Sequence, residues 1–159
     1  MTTSPLEKRR IGQTALEVTT LGLGAASLAG IFTAVPDAQG RATLQHALDK
    51  GLTYVDTAPQ YGLGRSEHLT GDVLRRAANR PVISTKVGRL LKPVDPARQD
   101  KGLWVDPLPF DQVYDYSYDG IMRSHEDSLQ RLGLDRVAIL YVHDIGTATH
   151  GVAVNKPYW

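Results

Sequence analysis

Four side chains of this 159-residue chain could together move a proton: the carboxylate of Asp56, the phenol of Tyr61, the ammonium of Lys86 and the imidazole of His143. Asp56 ends the run Thr53-Tyr54-Val55, Lys86 stands near the end of residues 81–87, and His143 directly follows residues 137–142. The β-branched and aromatic side chains of those runs suit a pleated strand, so three ionisable groups fall at three strand ends. Singly, each has an ordinary explanation: Asp56 as a turn or cap residue, Lys86 as a lysine reaching solvent. At one edge they would form a proton-transfer device. A phenol titrates near ~10 in water, and a neighbouring ammonium favours phenolate, which would poise Tyr61 near neutrality. Asp56 would hold Lys86 in place and charged, and His143 would orient a carbonyl or alcohol oxygen.

The elements between these residues must bring the strand ends together. Residues 9–19 read as a hairpin around Gly12-Gln13-Thr14, and residues 20–26 as a strand ending in small residues. Gly22 and Gly24 suggest a phosphate turn, but the third glycine of the dinucleotide fingerprint is absent, so the motif is weak alone. A helix over 37–50 follows Pro36, with Leu44, Ala47 and Leu48 on one face and Gly51 as its stop. A second helix follows Tyr61, with Ser66 placed to cap it and Leu69, Val73, Leu74 and Ala77 as its apolar side. In the strand 81–87, alternation puts Val82, Ser84 and Lys86 on one face. Residues 88–118 form a long loop whose aromatics favour order and contact with a ligand. Asp119 can cap a third helix that stops at Gly133, on which His125 is a face residue rather than a ligand. Residues 137–142 read as a strand buried on both faces, and residues 145–159 carry no clear period. Consecutive strands and helices in this order are parallel crossover units, which bind ligands at the carboxyl ends of their strands.

The composition narrows the partners. Lysine plus arginine (18) nearly balances aspartate plus glutamate (17), which gives no global attraction for nucleic acid or an anionic membrane. With no cysteine, disulfides and thiolate metal sites are excluded, and we expect no metal. Lys8-Arg9-Arg10 ahead of a fairly apolar stretch resembles an export signal, but Glu17, Thr19 and Thr20 interrupt it, and no run reaches a membrane span; the expectation is cytoplasmic.

The residues then match a known pattern. The sequence resembles the aldo-keto reductases, in the branch of the aldose (L-fucose and D-galactose) dehydrogenases. The matching text is Leu21-Gly22-Leu23-Gly24-Ala25-Ala26, Val55-Asp56-Thr57-Ala58-Pro59-Gln60-Tyr61-Gly62, Ser66-Glu67, Ser84-Thr85-Lys86-Val87-Gly88, Asp115-Tyr116-Ser117-Tyr118-Asp119 and Ser128-Leu129-Gln130-Arg131-Leu132-Gly133-Leu134-Asp135. The resemblance implies a catalytic tetrad on Asp56, Tyr61, Lys86 and His143, a cofactor contact through Gly24, Ala25 and Asp56, and hydride transfer between NAD or NADP and a sugar hemiacetal or small aldehyde.

It also implies an α/β fold: the N-terminal half of a (β/α)8 TIM barrel, about four parallel strands with helices behind a short hairpin. Barrels of this kind typically take about 250 residues. The expectation is therefore a single half-barrel domain over 1–159 whose cofactor site is incomplete, and whose open edges favour a homo-oligomer. Residues 152–159 look unlike the family's continuation. The alternative is an inactive half-barrel that persists by self-association or with a partner.

Overall fold

The computed structural model describes residues 4–155. Strands β1 (Lys8–Arg10) and β2 (Glu17–Thr19) pair antiparallel with Arg9 opposite Val18, so the basic run belongs to a hairpin. Of the expected strand at 20–26 only β3 (Leu23–Gly24) pairs, before a short 3-10 turn at Ser27–Ala29. Helix α1 (Asp37–Asp49) starts after Pro36, and Gly51, at φ +92°, turns the chain into β4 (Tyr54–Asp56). Helix α2 (Arg65–Leu74) leads to β5 (Val82–Val87). Strands β6 (Arg89–Pro93) and β7 (Phe110–Tyr114), helix α3 (Tyr118–Leu132), strand β8 (Ile139–Val142) and helix α4 (Thr147–Asn155) complete the order.

One sheet, β3-β4-β5-β8, is parallel throughout, with Gly24 opposite Asp56, Asp56 opposite Ser84, and Lys86 opposite Tyr141. This register carries the ends of β3, β4, β5 and β8 to one edge. The helices pack on the sheet through two apolar clusters: Ala25, Leu28, Leu44, Val55 and Val73, and Leu74, Ile83, Leu132 and Leu134. A third cluster, Ala29, Leu63 and Trp104, packs against Tyr61 and Phe110 and so supports the functional edge directly.

Four expectations change. Ser66 lies inside α2, whose N-cap is Gly64; the Ser66 hydroxyl is buried on Thr57 Oγ1 (2.8 Å) and the Ala25 carbonyl (3.1 Å). At α3 the cap is Ser117, whose Oγ accepts from Gly120 N at 3.1 Å, with Asp119 in the first turn. The apolar run ending in β8 is not covered on both faces: Leu140, Tyr141 and Val142 are exposed, because among the described residues β8 is the outer strand of its sheet. Residues 147–155 form α4, kinked at Gly151 (φ +71°), which its missing amphipathic period concealed. Residues 156–159, part of the stretch expected to diverge, lie outside the described residues.

Residues 88–118 are ordered as a hairpin with a flap. Strands β6 and β7 pair antiparallel, Leu91 opposite Gln112. The intervening segment is tied down by backbone bonds from Phe32 N to Leu103 O (2.9 Å), Val105 N to Gly30 O (2.8 Å) and Leu108 N to Gly62 O (3.1 Å). Among the described residues no helix is long and apolar enough to cross a membrane.

Candidate active site

Asp56 ends β4, and the following turn carries Tyr61 back over the strand ends, with Tyr61 N donating to Ala58 O at 3.2 Å. Lys86 points to the same side from β5. Its Nζ donates to Asp56 Oδ2 at 2.6 Å and to the Thr57 carbonyl at 3.0 Å, and lies 4.5 Å from the centroid of the Tyr61 ring. His143, one residue past β8, sets its ring edge-on to Tyr61 with centroids 6.0 Å apart. The structure therefore gathers all four residues that the sequence singles out.

Beneath them runs a polar chain that the residue pattern alone does not reveal. The Ser84 hydroxyl donates to Asp56 Oδ1 at 2.6 Å, and Tyr54 Oη lies 2.9 Å from Ser84 Oγ and 3.4 Å from Tyr141 Oη. Burial pushes the Tyr54 phenol up to about 12, so it stays protonated and can only support this chain. Alternation places Ser84 on the face of Lys86, and that is the signal by which it could have been found.

His143 is 7% exposed. Burial first, and then the nearby cations Arg89 and Lys86, hold its imidazole down at about 4, against the opposing pull of Asp144 and Asp56. The ring is neutral at pH 7. Its Nδ1 is buried without a partner, while Nε2 lies 3.7 Å from Asp144 Oδ2. Asp144 in turn binds Arg89, whose Nη1 donates to Gln112 Oε1 at 2.6 Å. No local pattern singles out Arg89: a buried arginine just past a strand end looks like any loop cation until its partners are known.

A cleft of about 650 Å³ opens at Tyr61, walled by Gln60, Trp104, Asp111, Gln112 and Tyr114 among others. Trp104 stands 5.8 Å from Tyr61, centroid to centroid, and is 8% exposed. Of the residues expected to hold a cofactor, Ala25 is fully buried, its N–H donating to Asp56 O (2.8 Å) and its carbonyl accepting from Ser66, so its side chain offers no contact. Gly24 is exposed, with no atom within 4 Å of where a Cβ would stand. Gly24 and the partly exposed Asp56 carboxylate line a second cavity, of about 630 Å³, together with Gly22, Tyr54 and Tyr141. No group of three or more potential metal ligands occurs among the described residues.

Residues 20–155 match the Aldo/keto reductase family. The chain is 50% identical over 153 residues to a pyridoxal 4-dehydrogenase of Microbacterium luteolum, covering 91% of this chain and 45% of that protein. It is 42% identical over 135 residues to a D-threo-aldose 1-dehydrogenase of a Pseudomonas species, covering 81% and 41%. Among solved structures, the glycerol dehydrogenase of Gluconobacter oxydans superposes with a TM-score of 0.67 at 27% identity, over 86% of this chain and 39% of the other. An aldo-keto reductase from Bacillus halodurans in its holo form gives 0.65 at 27% identity, over 84% and 39%. The chain thus spans less than half the length of each of these relatives. The family match runs to residue 155, and residues 156–159 lie beyond it.

Proposed function

The chain belongs to the aldo/keto reductase family, its sheet and helices corresponding to part of a (β/α)8 barrel, and on that premise we propose that it carries the acid–base half of an NAD- or NADP-dependent oxidoreductase acting on a sugar hemiacetal or small aldehyde. The observation that supports this most is the position of Lys86 Nζ, bound to Asp56 at 2.6 Å while facing the Tyr61 ring at 4.5 Å.

In reduction, the Tyr61 hydroxyl gives its proton to the carbonyl oxygen; in oxidation it takes the proton from the alcohol. The Lys86 ammonium steadies the negative charge that develops on the phenol oxygen, and Asp56, held by Ser84, fixes that ammonium. Neutral His143 hydrogen-bonds the reacting oxygen without competing as an acid. A bound nicotinamide nucleotide supplies the hydride donor or acceptor, and Gly24 and Asp56 are the residues of this chain that would hold it. The relatives' names, a pyridoxal and an aldose dehydrogenase, support the carbonyl class, and a cysteine-free chain suits a reducing cytoplasm.

The test is titration of the chain with NAD and NADP, followed by aldose oxidation. Saturable cofactor binding and turnover that Tyr61→Phe abolishes, with binding kept, is the expected result. No binding at millimolar cofactor would instead favour an inert fragment. The open edge of β8, with Leu140, Tyr141 and Val142 exposed, supports self-association of the chain. Sedimentation should then show a dimer or larger species; a compact monomer at micromolar concentration would count against it.

A further inference from the structure

We propose that Gln112 determines substrate specificity in this cleft, its carboxamide NH2 donating to a hydroxyl oxygen of a polyhydroxylated substrate. The proposal rests on the functional reading above and extends it to the side of the cleft away from the reacting carbonyl.

The orientation of Gln112 follows from its neighbour. A guanidinium has donors and no acceptor, so the amide group that Arg89 Nη1 meets at 2.6 Å must be the carbonyl oxygen. Arg89 cannot easily swing away. Its side chain is 2% exposed, a second nitrogen is held by Asp144, and its guanidinium carbon lies 4.9 Å from the centroid of the Tyr114 ring. The NH2 end of Gln112 is therefore turned from Arg89, and among the described residues the Gln112 side chain makes no hydrogen bond besides that to Arg89. Gln112 is only partly buried and walls the cleft that reaches Tyr61.

Alternation along β7 puts Asp111 on the opposite face from Gln112, and its Oδ1 already accepts from Asp100 N at 3.3 Å. A sugar hydroxyl can accept from the Gln112 NH2. Trp104 and Tyr61 add flat apolar surface to the same cleft. One guanidinium thereby sets the Gln112 donor and holds Asp144 beside His143, so recognition and the reacting oxygen are referenced to the same buried group.

The experiment reads binding through Trp104 fluorescence in a Trp159→Phe background, which leaves Trp104 as the one tryptophan. The ligands are galactose, its monodeoxy analogues, and propanal as an aldehyde without hydroxyls. The parent chain should bind at least one deoxy analogue about tenfold more weakly than galactose. Gln112→Leu should bind galactose about tenfold more weakly, lose the discrimination, and bind propanal unchanged. Gln112→Glu keeps a partner for Arg89 while removing the donor, and should lose the discrimination in the same way. Wild-type discrimination in either folded variant would overturn the role of Gln112 alone. A parent chain that binds neither galactose nor propanal would overturn the functional reading and this proposal together.

Discussion

Lys86 Nζ and Asp56 Oδ2 lie 2.6 Å apart across two neighbouring parallel strands, because Asp56 is opposite Ser84 and Lys86 is one pleat period further along β5. Both side chains are mostly buried, at 13% and 25% exposure, so solvent screens the pair less than a surface salt bridge. If Asp56 acts through Lys86, removing it after Lys86 has gone should cost little. We expect Lys86→Met to lower kcat by about 10²–10⁴-fold, Asp56→Asn to lower it less, and the double variant to match Lys86→Met. Fully additive losses in kcat, measured at saturating cofactor, would show that Asp56 acts on the reaction by a route other than Lys86.

His143 ties the site to pH. Its folded-state value of about 4 lies below the ordinary 6.5, so between these values the unfolded chain takes up a proton that the folded chain refuses. The stability linked to His143 is therefore complete above about pH 6.5, is lost as pH falls toward 4, and changes no further below that. Melting temperature measured from pH 7.5 to 4 should decline over this window, and the decline should be shallower in His143→Gln. An NMR titration showing the imidazole protonating near 6.5 in the folded chain would refute the assignment.

Much of this was legible because period and polarity agreed. Val55 buried beside Asp56 at the strand end, and Ser84 and Lys86 alternating on one face of β5, are both visible in the residues. Gly51 as a helix stop, with its left-handed backbone, is equally so. What stayed hidden depends on partners distant in sequence. Arg89 finds Asp144 fifty-five residues away, and Glu67 finds Arg131 sixty-four away; no local pattern marks either. Ser66 has the composition of a cap but is not one, because Gly64, at φ +100°, makes the turn that a capping side chain would otherwise stabilise. The flap at 99–108 is held largely by backbone bonds to the Gly30 and Gly62 turns, which no side-chain pattern announces.

The entry to α3 gives a direct test of one such difference. Ser117 and Asp119 both have the composition of a cap, but only the Ser117 hydroxyl accepts from a free helix N–H, that of Gly120 at 3.1 Å. Asp115 Oδ1 accepts from Ser117 Oγ at 2.6 Å and keeps the hydroxyl turned for this bond. Ser117→Ala should cost about 1 kcal/mol in urea unfolding. Asp119→Ala should stay within about 0.5 kcal/mol. The reverse ranking would move the cap to Asp119.

Glu67 is wholly buried at the start of α2 and receives Arg131 Nε from α3 at 2.5 Å on one oxygen and the Thr85 hydroxyl at 2.6 Å on the other. One carboxylate thus joins two helices to β5, one residue before Lys86. Each charge is buried because the other is present, so removing one leaves the other without compensation. Arg131, with its side chain 13% exposed, has Ser128 Oγ at 3.0 Å as a remaining contact, which a full charge needs more than a hydroxyl can give. Glu67→Gln should therefore destabilise the chain by about 3–5 kcal/mol. Glu67→Gln combined with Arg131→Met should recover a substantial part of that loss, since the stranded cation is gone. If the double variant unfolds at the same urea concentration as Glu67→Gln alone, the cost does not lie in the unpaired charge.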